Sequence, residues 1–223
     1  MNTLTFDIET IPQQETLSDI QQLELDKQLV KTYLKNPDWD DKEKEKFKRL
    51  IMATNPFYGE IICIGMHMTT NNESMFDLKP LIGEESHILE RFWKVLKDFK
   101  GLFISFNGMG FDIPFILKRS MKYQISSTNN DFLNLRRFSI RPHFDTKLVI
   151  GDWDRYAVGT LRLVCDHLGI PSPKEGEVKA ENVENEFKLG NIEAIAEYCL
   201  KDVEATYAVY EKLSGYQHQH NKY

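Results

Sequence analysis

The first apolar run of the chain, Leu4-Thr5-Phe6-Asp7-Ile8-Glu9-Thr10, carries two carboxylates at alternate positions. Alternate side chains of a strand share a face, so Asp7 and Glu9 point one way and Phe6 and Ile8 the other. Two acids side by side on a mostly apolar strand repel each other and resist desolvation. Divalent cations relieve both problems, and hard oxygen ligands suit Mg²⁺ or Mn²⁺. An edge strand with one solvated face relieves them too. Either way, the chain must build a sheet in which one face of its first strand meets charge or water.

The remaining pattern extends that sheet. Residues 13–50 are rich in Glu, Asp, Lys and Gln, with Ile20, Leu23, Val30, Tyr33, Phe47, Leu50 and Ile51 at helical spacing. Ser18 with Gln21 resembles a capping box, and Asn36-Pro37-Asp38 breaks the run. The spacing predicts two helices forming an inserted side lobe after the first strand. Residues 60–68 read as a strand, with a turn near Asn71-Asn72 and a pairing strand at 74–78. An amphipathic helix is predicted over 84–99, stopped by Gly101, and an apolar strand over 102–106. The loop Asn107-Gly108-Met109-Gly110 follows, and a helix begins near Phe111. Residues 126–138 are polar and irregular. A short helical segment follows His143-Phe144-Asp145-Thr146, residues 159–168 form a helix, 171–189 a charged loop, and 191–213 the last long helix before a frayed tail. Strands first, then alternating strand and helix, give an α/β fold with a mixed sheet flanked by helices. A length of 223 residues suits a single domain over 1–223 carrying the insertion.

Composition narrows the class. Hydrophobic residues at 41% and charged residues at 28% exclude collagen-like and low-complexity chains. Cys63, Cys165 and Cys199 are scattered and odd in number, so neither a disulfide framework nor a cysteine zinc site is expected, and a reducing compartment is. No apolar run approaches the ~20 residues of a spanning helix, and acids stand where a signal peptide would be apolar. The expectation is a cytoplasmic protein with no membrane partner. A formal charge of −6 argues on its own against a nucleic-acid binder. Its distribution is less clear-cut: between 115 and 144, Lys118, Arg119, Lys122, Arg136, Arg137 and Arg141 face Asp131 alone, a basic stretch that an ordinary surface loop explains equally well.

Two further clusters carry potential chemistry. Asn107-Gly108-Met109-Gly110-Phe111-Asp112 leaves a buried strand and opens a helix; by itself, Asp112 reads as an N-cap, with Pro114 in the first turn. Tyr198 and Asp202 are four apart and share one helix face. Taken in order, Asp7-x-Glu9, Asn107-x-x-x-Phe111-Asp112 and Tyr198-x-x-x-Asp202 resemble the three exonuclease motifs of the DEDD superfamily, and the tyrosine places the resemblance in its DEDDy branch. The sequences Asp-Ile-Glu-Thr and Asn-x-x-x-Phe-Asp are most similar to the proofreading exonuclease domain of family-B DNA polymerases, and the chain as a whole resembles the stand-alone 3′-5′ exonucleases related to that domain.

The resemblance implies a ribonuclease H-like fold with a five-stranded mixed sheet. It also implies a metal-dependent 3′-5′ exonuclease that hydrolyses terminal phosphodiesters of single-stranded nucleic acid, DNA in preference, to 5′-mononucleotides. The implied catalytic residues are Asp7, Glu9, Asp112, Tyr198 and Asp202. Asp7, Glu9, Asp112 and Asp202 would hold two divalent cations, Mg²⁺ or Mn²⁺; Tyr198 would orient the attacking water; Thr10, Asn107 and Phe111 would contact substrate. Two ions stabilise both the attacking and the leaving oxygen of an in-line displacement. The basic stretch is then available for phosphates, and Phe111, Tyr123 or Phe57 for stacking on bases. Asp145 fits both an acid near the site and a cap for the helix that follows. Two alternatives remain at this level: a non-catalytic or partner-dependent nucleic-acid-binding module of the same fold, with residues 13–50 as the docking lobe or a lid, and an RNA 3′-end exonuclease.

Overall fold

The computed structural model describes residues 1–70, 73–154, 156–171 and 182–220, and the side chains of all but 73–78 and 216–220 of these. The expected turn at Asn71-Asn72 and most of the 171–189 loop lie outside them. Five strands form one sheet: β1 (Thr3–Pro12), β2 (Gly59–Thr70), β3 (Glu73–Ile82), β4 (Leu102–Ser105) and β5 (His143–Asp145), in the order β3-β2-β1-β4-β5. The first three are antiparallel neighbours; β4 runs parallel to β1, and β5 parallel to β4. This mixed sheet with helices on both faces is a ribonuclease H-like α/β fold.

Helices α1 (Asp19–Tyr33) and α2 (Asp41–Ala53) make the lobe between β1 and β2; α3 (Glu85–Leu96) and α4 (Asp112–Lys122) follow β3 and β4. Then come α5 (Thr146–Ile150), α6 (Leu161–His167), α7 (Val183–Lys188) and α8 (Ile192–His220). The Ser18–Gln21 capping box forms as the sequence predicts, and a second one, Asp40 with Glu43, starts α2 after the Asn36-Pro37 break. Part of the predicted 171–189 loop is instead α7, and the backbone of α8 continues to His220, past the predicted end and through the tail expected to fray.

The faces of β1 separate as its alternation requires. Leu4, Phe6 and Ile8 enter the main core with Phe92, Trp93, Phe103 and Ile113. Phe132 joins them, fully buried, its ring 5.2–5.5 Å from those of Phe6, Phe92, Trp93 and Phe103. The stretch read as polar and irregular thus supplies the centre of the aromatic core. The other face of β1 lies under α8.

The lobe corrects the sequence reading. Its buried residues are Leu25, Leu29, Met52 and Tyr58, while Ile20, Leu23, Val30 and Leu50 are exposed. The apolar residues of α1 fall on two faces, and only one of them meets α2. The lobe is tied to the body by Thr10 Oγ1 donating to the Ala53 carbonyl (2.7 Å), by the Lys122–Glu15 pair, and by Arg49 paired through both Nε and Nη2 with Glu184 on α7.

Candidate active site

β1 outlasts its parallel neighbour. It pairs with β4 only through Thr3–Leu102, Leu4–Phe103 and Thr5–Ile104, after which β4 ends and its chain turns away. The amides of β1 beyond Thr5 then need partners on that edge. Asp112, the first residue of α4, fills the gap: its Oδ1 accepts from Ile8 N at 3.2 Å. Phe111, not Asp112, holds the N-cap position of α4, so the cap reading of Asp112 gives way to a tether between α4 and the acidic strand. Asp112 is 2% exposed, and the two carboxyls of Asp112 and Asp7 are hydrogen-bonded.

The loop between β4 and α4 is held in turn by Asp145 at the end of β5. Its carboxylate accepts from Asn107 N (2.9 Å) and Met109 N (3.0 Å), and caps α5 through Leu148 N (3.2 Å). Asn107 sits at φ 67°, a left-handed conformation that Asn tolerates better than most residues. A Cβ on Gly108 would lie 2.3 Å from Ser105 Oγ, so only glycine fits the turn. The sequence left Asp145 open between a cap and a site acid. It is a cap that also fixes the loop delivering Asn107 and Asp112, and it lies close enough to Asp112 for its charge to raise that carboxyl.

The third wall is α8. Gly65 on β2 pairs with Asp7, and a Cβ there would meet Cys199 Sγ at 2.8 Å and Val203 Cγ2 at 3.1 Å. The missing side chain lets α8 settle onto the acidic face of β1. Cys199 Sγ then lies 3.6 Å from the Asp7 carbonyl and 3.8 Å from its Oδ2. Tyr198, the residue before Cys199, donates its hydroxyl hydrogen to Asp202, one turn further along α8. A register shift between Glu9 and Thr10, where Ile62 is the extra residue of β2, completes the local geometry of the strand.

Four carboxylates therefore converge from three distant segments. Burial, reinforced by Asp112, Glu9, Asp202 and Cys63, raises Asp7 well above the usual carboxylate range. Burial does the same to Glu9, with Asp202 next in effect. Asp112 is raised to about 7, again by burial, which outweighs its stabilising backbone hydrogen bonds. Asp202 is raised by burial and partly relieved by Tyr198. Among the described residues, no basic side chain acts on any of the four. An acidic cluster that the protein itself does not neutralise fits hard divalent cations. Ligand atoms of Asp7, Glu9 and Cys199 all lie within 4.8 Å of one another. The thiol of Cys199 is raised by its hydrogen bond with Cys63 and by burial, so it stays protonated and is a neutral neighbour of Asp7 rather than an anionic ligand.

The residues expected at substrate are more dispersed. The Thr10 hydroxyl is engaged with Ala53. Asn107 and Phe111 are half-buried at the mouth of the loop, Phe111 packing on Phe115 at 5.6 Å between ring centroids. Tyr123 is not a free stacking surface: its hydroxyl donates to Glu85. Arg119 is buried against the same glutamate, and Lys122 pairs with Glu15, so these two cations of the basic stretch are occupied. Lys118, Arg136, Arg137 and Arg141 remain on the surface. Sequence reasoning missed Gly65 and the Cys63–Cys199 contact. A lone glycine inside an apolar strand is the signal that marks the first; scattered cysteines give none for the second.

Residues 55–222 match a family model described as a predicted 3′-5′ exonuclease related to the exonuclease domain of PolB. The match begins after the lobe, so Asp7 and Glu9 precede it. The fold is similar to that of a family B DNA polymerase from the hyperthermophilic archaeon Pyrobaculum calidifontis, with a TM-score of 0.59 and 15% identity. That similarity covers 95% of this chain and 24% of the polymerase, so the chain spans about a quarter of that protein's length.

Proposed function

The chain belongs to the family of predicted 3′-5′ exonucleases related to the exonuclease domain of PolB, and from that premise we propose that it is a metal-dependent 3′-5′ exonuclease of the DEDDy type. It removes 5′-mononucleotides from the 3′ end of single-stranded nucleic acid, DNA in preference. The observation that carries this reading is the convergence of Asp7, Glu9, Asp112 and Asp202 with no basic partner among the described residues, beside a Tyr198–Asp202 hydrogen bond.

Two Mg²⁺ or Mn²⁺ ions held by Asp7, Glu9, Asp112 and Asp202 would supply Lewis acidity at the attacking and leaving oxygens of the phosphodiester. The protein's share is position. Asp112 is fixed by the Ile8 amide and Asp202 by the Tyr198 hydroxyl, so the carboxylates keep their spacing while their charges repel. Burial and Asp202 raise the Tyr198 phenol far above neutrality, so it keeps its proton and orients water as a hydrogen-bonding group rather than as a base. Asn107 and Phe111, held by the Asp145-pinned loop, flank the terminal nucleotide. Lys118, Arg136, Arg137 and Arg141 are the cations left to meet phosphates at longer range.

The test uses 5′-labelled single-stranded DNA and a matching RNA, with wild-type protein and Asp7→Ala, in Mn²⁺ or in EDTA. A ladder that shortens from the 3′ end only with wild type and metal, faster on DNA, is expected. No shortening in Mn²⁺, or equal shortening by Asp7→Ala, contradicts the reading. A faster ladder on RNA reassigns the substrate.

A further inference from the structure

Resting on that exonuclease reading, we infer that the cleft between the lobe and α7 binds the unstacked bases of the single-stranded substrate, next to the end being cleaved. The cleft has a volume of about 820 Å³, within the roughly 300–1,000 Å³ range of ligand pockets. Thr10, the residue after Glu9 on β1, is part of its lining, so the cleft adjoins the end of the acidic strand. Trp39, Phe47, Leu50 and Ala53 of the lobe form one side; Val183 and Asn185 of α7 form the other.

The charges lining it decide what part of a polynucleotide it suits. Glu43 and Glu184 stand against Lys46 and Arg49, and Arg49 is already committed to Glu184. Among the described residues the lining is electrically balanced, whereas a groove that follows a phosphate backbone carries excess positive charge. Aromatic and aliphatic walls with one amide, Asn185, suit bases instead, which stack on aromatic rings with little regard to sequence. The phosphates would run outside the cleft. Only bases released from a duplex can enter, so the cleft selects single strands.

The lobe is built as a wall. Its attachments through Thr10–Ala53 and Arg49–Glu184 fix it to β1 and α7 on both sides of the cleft. Trp39 packs on Phe47 and Tyr33, at 5.2 and 6.4 Å between ring centroids, so the aromatic surface is preorganised. The lobe side of the cleft precedes the matched residues 55–222, and the α7 side lies within them.

The test compares wild type with Leu50→Glu and Trp39→Ala. Leu50 is 56% exposed and outside the lobe's buried core, so its substitution leaves folding intact. Ile20→Glu, on α1 of the same lobe, exposed and not part of the described cleft lining, controls for added charge. Fluorescence anisotropy of a labelled oligo(dT) in EDTA reads affinity without turnover. Hydrolysis of thymidine 5′-(p-nitrophenyl phosphate) in Mn²⁺ reads the carboxylate site without the cleft. Leu50→Glu and Trp39→Ala should each weaken oligonucleotide binding on the order of tenfold, while Ile20→Glu does not and the single-nucleotide ester is hydrolysed normally. Unchanged affinity in Leu50→Glu, or no binding by wild type, overturns the inference and returns the cleft to a protein partner. If wild type fails to hydrolyse the ester yet the affinity difference persists, the exonuclease reading falls and the base-binding cleft stands.

Discussion

At Asp112 the fold works against the charge it displays. Burial holds this carboxyl at about 7, above its ordinary value of 3.8, and moves Asp7 and Glu9 in the same direction. A carboxyl whose pKa is raised by folding stabilises the fold fully below its unfolded value, and that contribution is lost as pH rises through the folded value. The metal-free protein should therefore melt at progressively lower temperature between about pH 4 and pH 7 as Asp112 ionises. His143 acts in the opposite sense: burial lowers it to about 4 from 6.5, so its contribution is present above 6.5 and lost as pH falls through 4. Comparing Asp112→Asn with wild type in EDTA cancels the histidine. The variant should show a flatter fall in Tm, and identical slopes would place the titration elsewhere. Tyr198→Phe keeps the ring and removes the hydroxyl that Asp202 accepts. Turnover should drop by about 10²-fold with KM little changed, the loss expected for a group that orients reacting water. An unaffected kcat would remove Tyr198 from the chemistry.

Among the elements, the contact of α8 with β2 sets the depth of the site. Gly65→Ala places a methyl group 2.8 Å from Cys199 Sγ, and α8 must move to receive it. Such overpacking typically costs about 1–3 kcal/mol. The same movement carries Tyr198 and Asp202 away from Asp7, so activity should fall more steeply than a thermal melt predicts; full activity at a lowered Tm would show that the helix position is not critical. Phe132→Ala should cost about 3–5 kcal/mol, measured by denaturant unfolding, because the ring is fully buried among four other aromatics. A cost below about 1 kcal/mol would mean that the 126–138 segment packs more loosely than described.

These two positions also mark where sequence reading ends. The alternation in β1, the amphipathic stripe of α3 and the Ser18 capping box are periodic or local signals, and each element forms where it was expected. Phe132 stands with Leu133, Leu135 and Phe138 in an otherwise polar stretch, and no period says which of them is buried. The stripe of α1 is real but two-sided, and periodicity alone cannot say which side meets α2. The acids of the site were legible as motifs. What holds them was not: the Ile8–Asp112 tether and the Asp145 loop clamp join residues 104 and 36–38 positions apart, and such pairings leave no trace in spacing.

At the scale of the whole molecule, β1 is the axis. Its apolar face nucleates the core, its other face carries the acids, its end leads into the lobe, and α4 and α8 close on it from far along the chain. No helix among the described residues is long and apolar enough to cross a membrane. The fold concentrates negative charge at one place, uncompensated among the described residues, and cations that bind the native state there stabilise it by mass action. Because the ligands must shed protons, that stabilisation should be larger near pH 8 than near pH 5.5.

The central claim is that Asp7, Glu9, Asp112 and Asp202 form one metal site, and a calorimetric titration of Mn²⁺ into wild type and Asp7→Asn at pH 7.5 tests it most directly. Two ions per wild-type chain, released protons, and loss of at least one ion in the variant are expected. Absence of binding to wild type, or undiminished binding to Asp7→Asn, would contradict it.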